Sequence, residues 1–276
     1  HGMTIGTDYP PARRQNVVGW LNTVTRALVA MLVWLACAGS GAELTTNSPA
    51  AIARADFLAR QSAYQRNPTN AEAAWQFARA CFDWAEFATN NTQRASLAES
   101  GIKVARELIA RNSNSVPGHY YLGLNLGQLA RTKSLGALRL VGQMEVAFKA
   151  ARALDEKFDF AGPDRDLGLL YFEAPSGFSV GDQRKARTHL DRAVELAPEF
   201  PENWLNLAEA HVSWKELEAA RKELGALEIA LPKARELFKG DSWNGAWADW
   251  ERRLGKLRER LKSPAKQAAS PKKNSR

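Results

Sequence analysis

Residues 186–232 read ARTHLDRAVELAPEFPENWLNLAEAHVSWKELEAARKELGALEIALP, and a single offset organises them. Ala186, Leu190, Ala193 and Pro198 recur 34 residues on as Ala220, Leu224, Leu227 and Pro232. Between the two sets stand Trp204, Leu207, Ala208 and His211, alternating bulky and small side chains at helical spacing. Such a helix offers bulk to fill a core and a small residue where a second helix must come close. Ala186 and Ala193 do the same on that second helix. The proline is expected to end it, because proline has no N–H to give and disfavours helix in the residue before it. Neither helix can bury its apolar stripe alone, so pairs of this kind stack.

Period, spacing and residue type together resemble the tetratricopeptide repeat, which implies an all-α superhelix. Working towards the N-terminus, Leu167-Gly168-x2-Tyr171 reads as another first helix. Its partner begins at Ala186, about six residues later than the period allows, after the insertion Glu173–Phe178. Leu122-Gly123-x2-Leu126 is a first helix too, with a second helix placed on Val146, Ala150, Ala153 and Leu154 after about eleven extra residues. Gly123 and Gly127 there suggest close packing. Trp75, Ala78 and Phe82 mark the first pair, completed over about 94–111. About four pairs are therefore expected in residues 43–262, with a capping helix over about 49–66. Trp243, Trp247, Trp250, Leu254, Leu257 and Leu261 recur at intervals of 4, 3, 4, 3 and 4. That stripe reads as the core face of a second cap.

The ends have a different composition. Arg13, Arg14 and Arg26 precede ALVAMLVWLA at residues 27–36, an apolar run short of the roughly 20 residues that span a bilayer. A basic region, a short apolar core and then small residues is the layout of a secretory signal or membrane-targeting segment over 1–42. Cleavage sites fit after Ala38 and after Ala42, and a lipoprotein signal ending before Cys37 is a third arrangement; an uncleaved anchor is a fourth. Residues 263–276, SPAKQAASPKKNSR, read as a disordered basic tail. The chain carries a net +8, of which +2 lies in residues 1–42 and +4 in residues 263–276. The body is left with +2, so the electrostatic footprint of a nucleic-acid binder is missing from it.

The run ALDEKFDFAGPDRDLGLLYFEAPSGFSVGDQRKARTHLDRAVELAP, Ala153 to Pro198, resembles a narrower group, the T component of tripartite ATP-independent periplasmic (TRAP) transporters. Gly162-Pro163, Arg165, Leu167-Gly168, Pro175 and Gly181-Asp182 carry that resemblance. It implies an exported protein, often lipid-anchored, that holds an apolar ligand or docks a periplasmic solute-binding protein, and a ring-like homo-oligomer. The repeat pattern by itself implies a second role, an envelope scaffold holding a peptide in its concave groove.

No catalytic signature is found. His1, His119, His189 and His211 are scattered, with no HExxH, and no phosphate-binding glycine loop or GxSxG elbow occurs. His119 and His211 fall at positions where this repeat wants large packing residues. Cys37 and Cys81 make neither a disulfide framework nor a CxxC pair, and Cys81 reads as a small buried thiol beside Phe82. Asp155, Glu156, Asp164 and Asp166 crowd one turn but lack the oxygen spacing of a calcium loop. No enzyme, metal or cofactor is expected.

Function then falls to the groove. Projecting the first helices places Gln76, Asp83 and Trp84 there, then Tyr120, Leu124 and Gln128, then Arg165, Leu169 and Phe172, and finally Glu202, Glu209 and Ser213. The binding set is Trp84, Tyr120, Gln128, Arg165, Leu169, Phe172, Glu202 and Glu209. Arg165 is expected either to take a carboxylate bidentately or to pair with Asp164 or Glu202. On that reading Ala193→Trp unfolds the stack, whereas Arg165→Ala weakens binding and leaves the melting curve intact. The Pro175–Phe178 loop reads as a lid or a spacer.

Overall fold

The computed structural model describes residues 48–133 and 136–262; the expected signal, Cys37 and the basic tail lie outside them. The described residues form ten α-helices and no strand. Four successive pairs make the stack: α2 (Ala71–Ala85) with α3 (Asn91–Arg111), α4 (Val116–Ala130) with α5 (Ala137–Leu154), α6 (Phe158–Glu173) with α7 (Gln183–Leu196), and α8 (Pro201–Ser213) with α9 (Leu217–Leu237). Before them α1 (Pro49–Arg66) packs on α2, and after them α10 (Asn244–Lys262) packs on α8 and α9. A short 3-10 turn, Asp241–Trp243, leads into α10.

Local chemistry sets the helix starts. Asn70, Asn90, Ser115 and Asp182 each place a side-chain oxygen on a backbone N–H of the first turn, which relieves donors that have no intrahelical partner. Pro201 opens α8 at a position where a missing N–H does no harm. Pro232 behaves otherwise than expected: it lies within α9, which continues to Leu237. Pro198 does follow the end of α7, so the two prolines of the 34-residue offset are not equivalent.

The buried face of α5 also differs from the expected one. Leu140, Val141, Met144, Ala147, Phe148 and Ala151 form it, while Val146 is 69% exposed and Leu154 is exposed as well. The helix has two apolar stripes, and repeat spacing alone selects the wrong one. Gly123 shows why the first helix of this pair needs glycine: a Cβ there would sit 2.5 Å from the Phe148 ring. The terminal stripe packs as expected, with Trp243, Trp250, Leu254, Leu257 and Leu261 buried beside Phe200 and Phe238. Among the described residues no helix is long and apolar enough to cross a membrane.

Candidate partner-binding faces

The junction between the second and third pairs controls what the inner face can offer. Asp159, Phe160 and Ala161 have φ of 51°, 56° and 61°, three consecutive non-glycine residues in the left-handed region. That conformation costs about 1–2 kcal/mol per residue. Arg165, fully buried one turn further on, offsets it by donating to the carbonyls of Phe160 at 3.0 Å and Asp159 at 3.1 Å. The same guanidinium meets Asp159 Oδ2 at 3.0 Å and Asn203 Oδ1 at 3.2 Å. From α4 the Tyr120 hydroxyl donates to Asp159 Oδ2 at 2.7 Å, and from α8 the Asn203 amide donates to the carbonyls of Phe160 and Ala193. Gly162 completes the arrangement, since a Cβ there would stand 2.4 Å from the Tyr120 oxygen.

Tyr120 and Arg165 are thus structural groups with no surface for a ligand, a correction to the projected groove. The charge partner of Arg165 is Asp159, where Asp164 or Glu202 was expected. Asp164 is instead held by Arg152, at 2.8 and 2.9 Å, and by His189 at 2.6 Å. Gln128 is withdrawn in the same way: it is buried and donates to Glu86, whose carboxylate also accepts from Arg131 at 3.0 Å. Burial pushes the Glu86 carboxyl up, with Arg131 opposing it. Glu202 and Leu124 are buried too. The projection assumed that every first-helix side chain pointing away from its partner meets solvent, and here neighbouring first helices cover several of them.

Of the eight residues of the expected binding set, four keep accessible surface. Trp84 is half-buried, its ring 4.7 Å from that of Phe57 on the cap α1. Leu169 and Phe172 are half-buried against a small cluster of Leu190, Val194, Leu207 and Ala210, which Trp204 and Trp214 also flank. Phe172 meets Trp214 edge to face, with ring centres 5.7 Å apart. Glu209 accepts two bonds from Arg253, at 2.9 and 2.8 Å, and so ties α10 to α8. Glu173, the last residue of α6, follows Phe172 in the chain and feels the charge of Glu209. Its carboxyl is buried, Oε2 has no hydrogen-bond partner among the described residues, and burial with the nearby charge of Glu209 pushes it up to about 8.

Sequence reasoning passed over Glu173, Asp159, Asn203 and Arg253, none of which stands at a position that the repeat spacing weighs. The connection 174–182 is anchored at its far end, where the Asp182 amide donates to the Tyr171 carbonyl at 3.0 Å. His119 and His211 make local bonds to Ser113 and Glu216, and Cys81 is buried. Among the described residues no group of three or more His, Cys, Asp or Glu side chains is placed to hold a metal ion.

Paired, stacked helices with a small-residue seam define the class: the chain is an all-α, tetratricopeptide-like repeat superhelix. Its described fold is similar to a thermophilic tetratricopeptide protein of Thermus thermophilus, at 20% identity and a TM-score of 0.54, covering 73% of this chain and 90% of that one. It is also similar to MamA, at 15% identity and a TM-score of 0.47, over 68% of this chain and 98% of that one. Residues 53–155 match the family model described as regulator of microtubule dynamics protein 1-3. No curated protein matches the chain.

Proposed function

We propose that the protein is a non-enzymatic scaffold that holds a segment of a protein partner against the α6–α8 part of its inner face. The observation that carries this reading is Glu173: a buried carboxyl with one oxygen unpartnered among the described residues, near the charge of Glu209, on the same helix as half-buried Leu169 and Phe172. A buried polar group without a partner is costly, and a donor supplied by a bound chain relieves it. Apolar rings next to carboxylates suit a peptide carrying an apolar residue and a lysine or arginine. Export through residues 1–42 is part of the proposal and rests on the sequence of that segment.

The narrower reading, an accessory component of TRAP-type transport, rests on the run 153–198. Several of its distinguishing residues have a structural task here: Gly162 and Arg165 build the left-handed turn. A photo-crosslinking residue at position 172 of the full chain, expressed in its native cells, tests both readings. A discrete protein adduct at 172, missing when the same residue replaces exposed Glu236 on α9, is the expected result. A solute-binding protein in that adduct selects the transport role. Equal labelling at both positions, or no protein adduct at 172, overturns the scaffold.

A further inference from the structure

A second surface, independent of Glu173, lies between the first two helix pairs. Helices α3 and α5 both pack on α4 and leave a groove between them, seen as two cavities of about 540 and 610 Å3 that share Arg106, Leu126, Arg139 and Gln143. The groove side of α3 runs from Glu99 to Ala110 and that of α5 from Arg139 to Ala150. At a rise of 1.5 Å per residue, each wall is roughly 16 Å long, about three helical turns. Leu122, Leu126 and Leu129 form the floor on α4, and Ile102, Ile109 and Val146 line the walls. Leu122, Leu126 and Leu129 are spaced as one helical stripe, and Ile102 and Ile109 lie two turns apart. Stripes of this kind normally cover another helix.

The charge on the groove identifies what would cover it. Lys103, Arg106 and Arg139 are exposed along its edges, and none of them has a carboxylate partner among the described residues. Arg106 reaches across to Gln143, at 3.0 Å. Of the two acids on the lining, Glu107 accepts from the Tyr64 hydroxyl at 2.8 Å and Glu99 stands at one end. We propose that this groove receives an amphipathic helix of a partner protein, about three turns long, with an apolar stripe against Leu122, Leu129 and Val146 and flanking carboxylates on Lys103, Arg106 and Arg139. Helix-in-groove recognition of this kind reads anchors at i, i+3, i+4 and i+7.

Selection from a displayed library of helical peptides against the full chain tests it, followed by fluorescence anisotropy on the peptide most enriched. Enriched sequences are expected to combine an apolar stripe with flanking Asp or Glu, and their affinity should fall as salt rises. Val146→Glu and Arg139→Glu should each weaken binding by about tenfold or more, which corresponds to about 1.4 kcal/mol. Lys233→Glu, exposed on α9 and outside the groove lining, should leave binding unchanged, and all three variants should melt as the parent does. Enrichment of basic peptides, failure to enrich any helix, or indifference to Val146→Glu overturns the proposal. So does a dimer of the full chain, or binding to anionic lipid vesicles, that Val146→Glu abolishes, because either result assigns the groove to a different occupant.

Discussion

Arg165 Nη2 lies 3.0 Å from Asp159 Oδ2, and the same guanidinium holds the carbonyls of the left-handed turn on which Asp159 sits. Charge and backbone are coupled at one point, so removing the side chain takes a donor from a part-buried carboxylate and from two carbonyls, while Tyr120 stays on Asp159 Oδ2 and Asn203 on the Phe160 carbonyl. Arg165→Ala is therefore expected to destabilise the fold by roughly 3–5 kcal/mol, the scale of a broken buried pair. This reverses the expectation from sequence, in which the arginine faced a ligand and its loss spared the melting curve. Arg165→Lys should restore little, since an ammonium cannot reproduce the planar fork. Urea unfolding of the three proteins decides it; an unshifted midpoint for Arg165→Ala would remove the latch.

Ala193 tests the neighbouring contact from the other side. It is fully buried on α7, and its carbonyl accepts from Asn203 at 3.0 Å. A tryptophan there has no space among the helices, so Ala193→Trp should abolish the cooperative transition, as the repeat spacing predicts. Loss of the far-ultraviolet helical signal at room temperature is the readout. A folded, cooperative variant would mean that α7 and α8 are free to part.

The contrast between these two residues shows what was legible. Ala193 belongs to a small-residue seam that recurs with the period, so the physics of close approach marks it in the sequence. Arg165 also sits at a regular position, but its task depends on the three left-handed residues before it, which carry no glycine to announce them. Val146 failed for another reason: α5 has apolar residues on two faces, and spacing cannot tell the core stripe from the groove stripe. The caps, the pairing and the terminal tryptophan stripe were readable because each rests on local periodicity. The residues that link one pair to the next, such as Gln128 with Glu86 and Arg253 with Glu209, join positions more than 40 apart and leave no local trace.

Gly123 and Phe148 make a steric prediction. A methyl group on Gly123 would meet the ring at 2.5 Å, in a core with little room to relax. Gly123→Ala should lower stability by about 1–3 kcal/mol, the usual effect of overpacking. The double variant with Phe148→Leu should destabilise by less than the sum of the two single changes, because the smaller side chain admits the methyl group. Additive losses in denaturant unfolding would show that the contact is not the cause.

Cys81 lies on the buried face of α2, and burial with the charge of Asp83 pushes its thiol well above the usual cysteine range. The thiolate is the reactive form. Iodoacetamide at neutral pH is expected to leave Cys81 unmodified in the folded protein and to alkylate it fully in denaturant, as read by peptide mass spectrometry. Rapid alkylation in the folded state would mean that α2 opens readily.

Glu173 ties stability to pH in a definite direction. Its carboxyl is raised in the folded chain to about 8, from an ordinary value near 4.5. Between those two values the folded state binds a proton that the unfolded state has released. Its contribution is therefore undiminished below about pH 4.5 and is lost as pH rises towards 8, with a slope of up to about 1.4 kcal/mol per pH unit. Glu173→Gln keeps the shape and removes the charge, so it should be more stable than the parent at pH 8 by about 2 kcal/mol or more and nearly equal to it at pH 4.5. The measurement is the difference between the two proteins in urea unfolding from pH 4.5 to 9, which cancels the titration of every other group common to both. A flat difference would mean that the carboxyl titrates normally and that its unpartnered oxygen reaches water. A bound partner that supplies a cation to Glu173 should flatten the parent's profile in the same range, which joins this test of stability to the test of function.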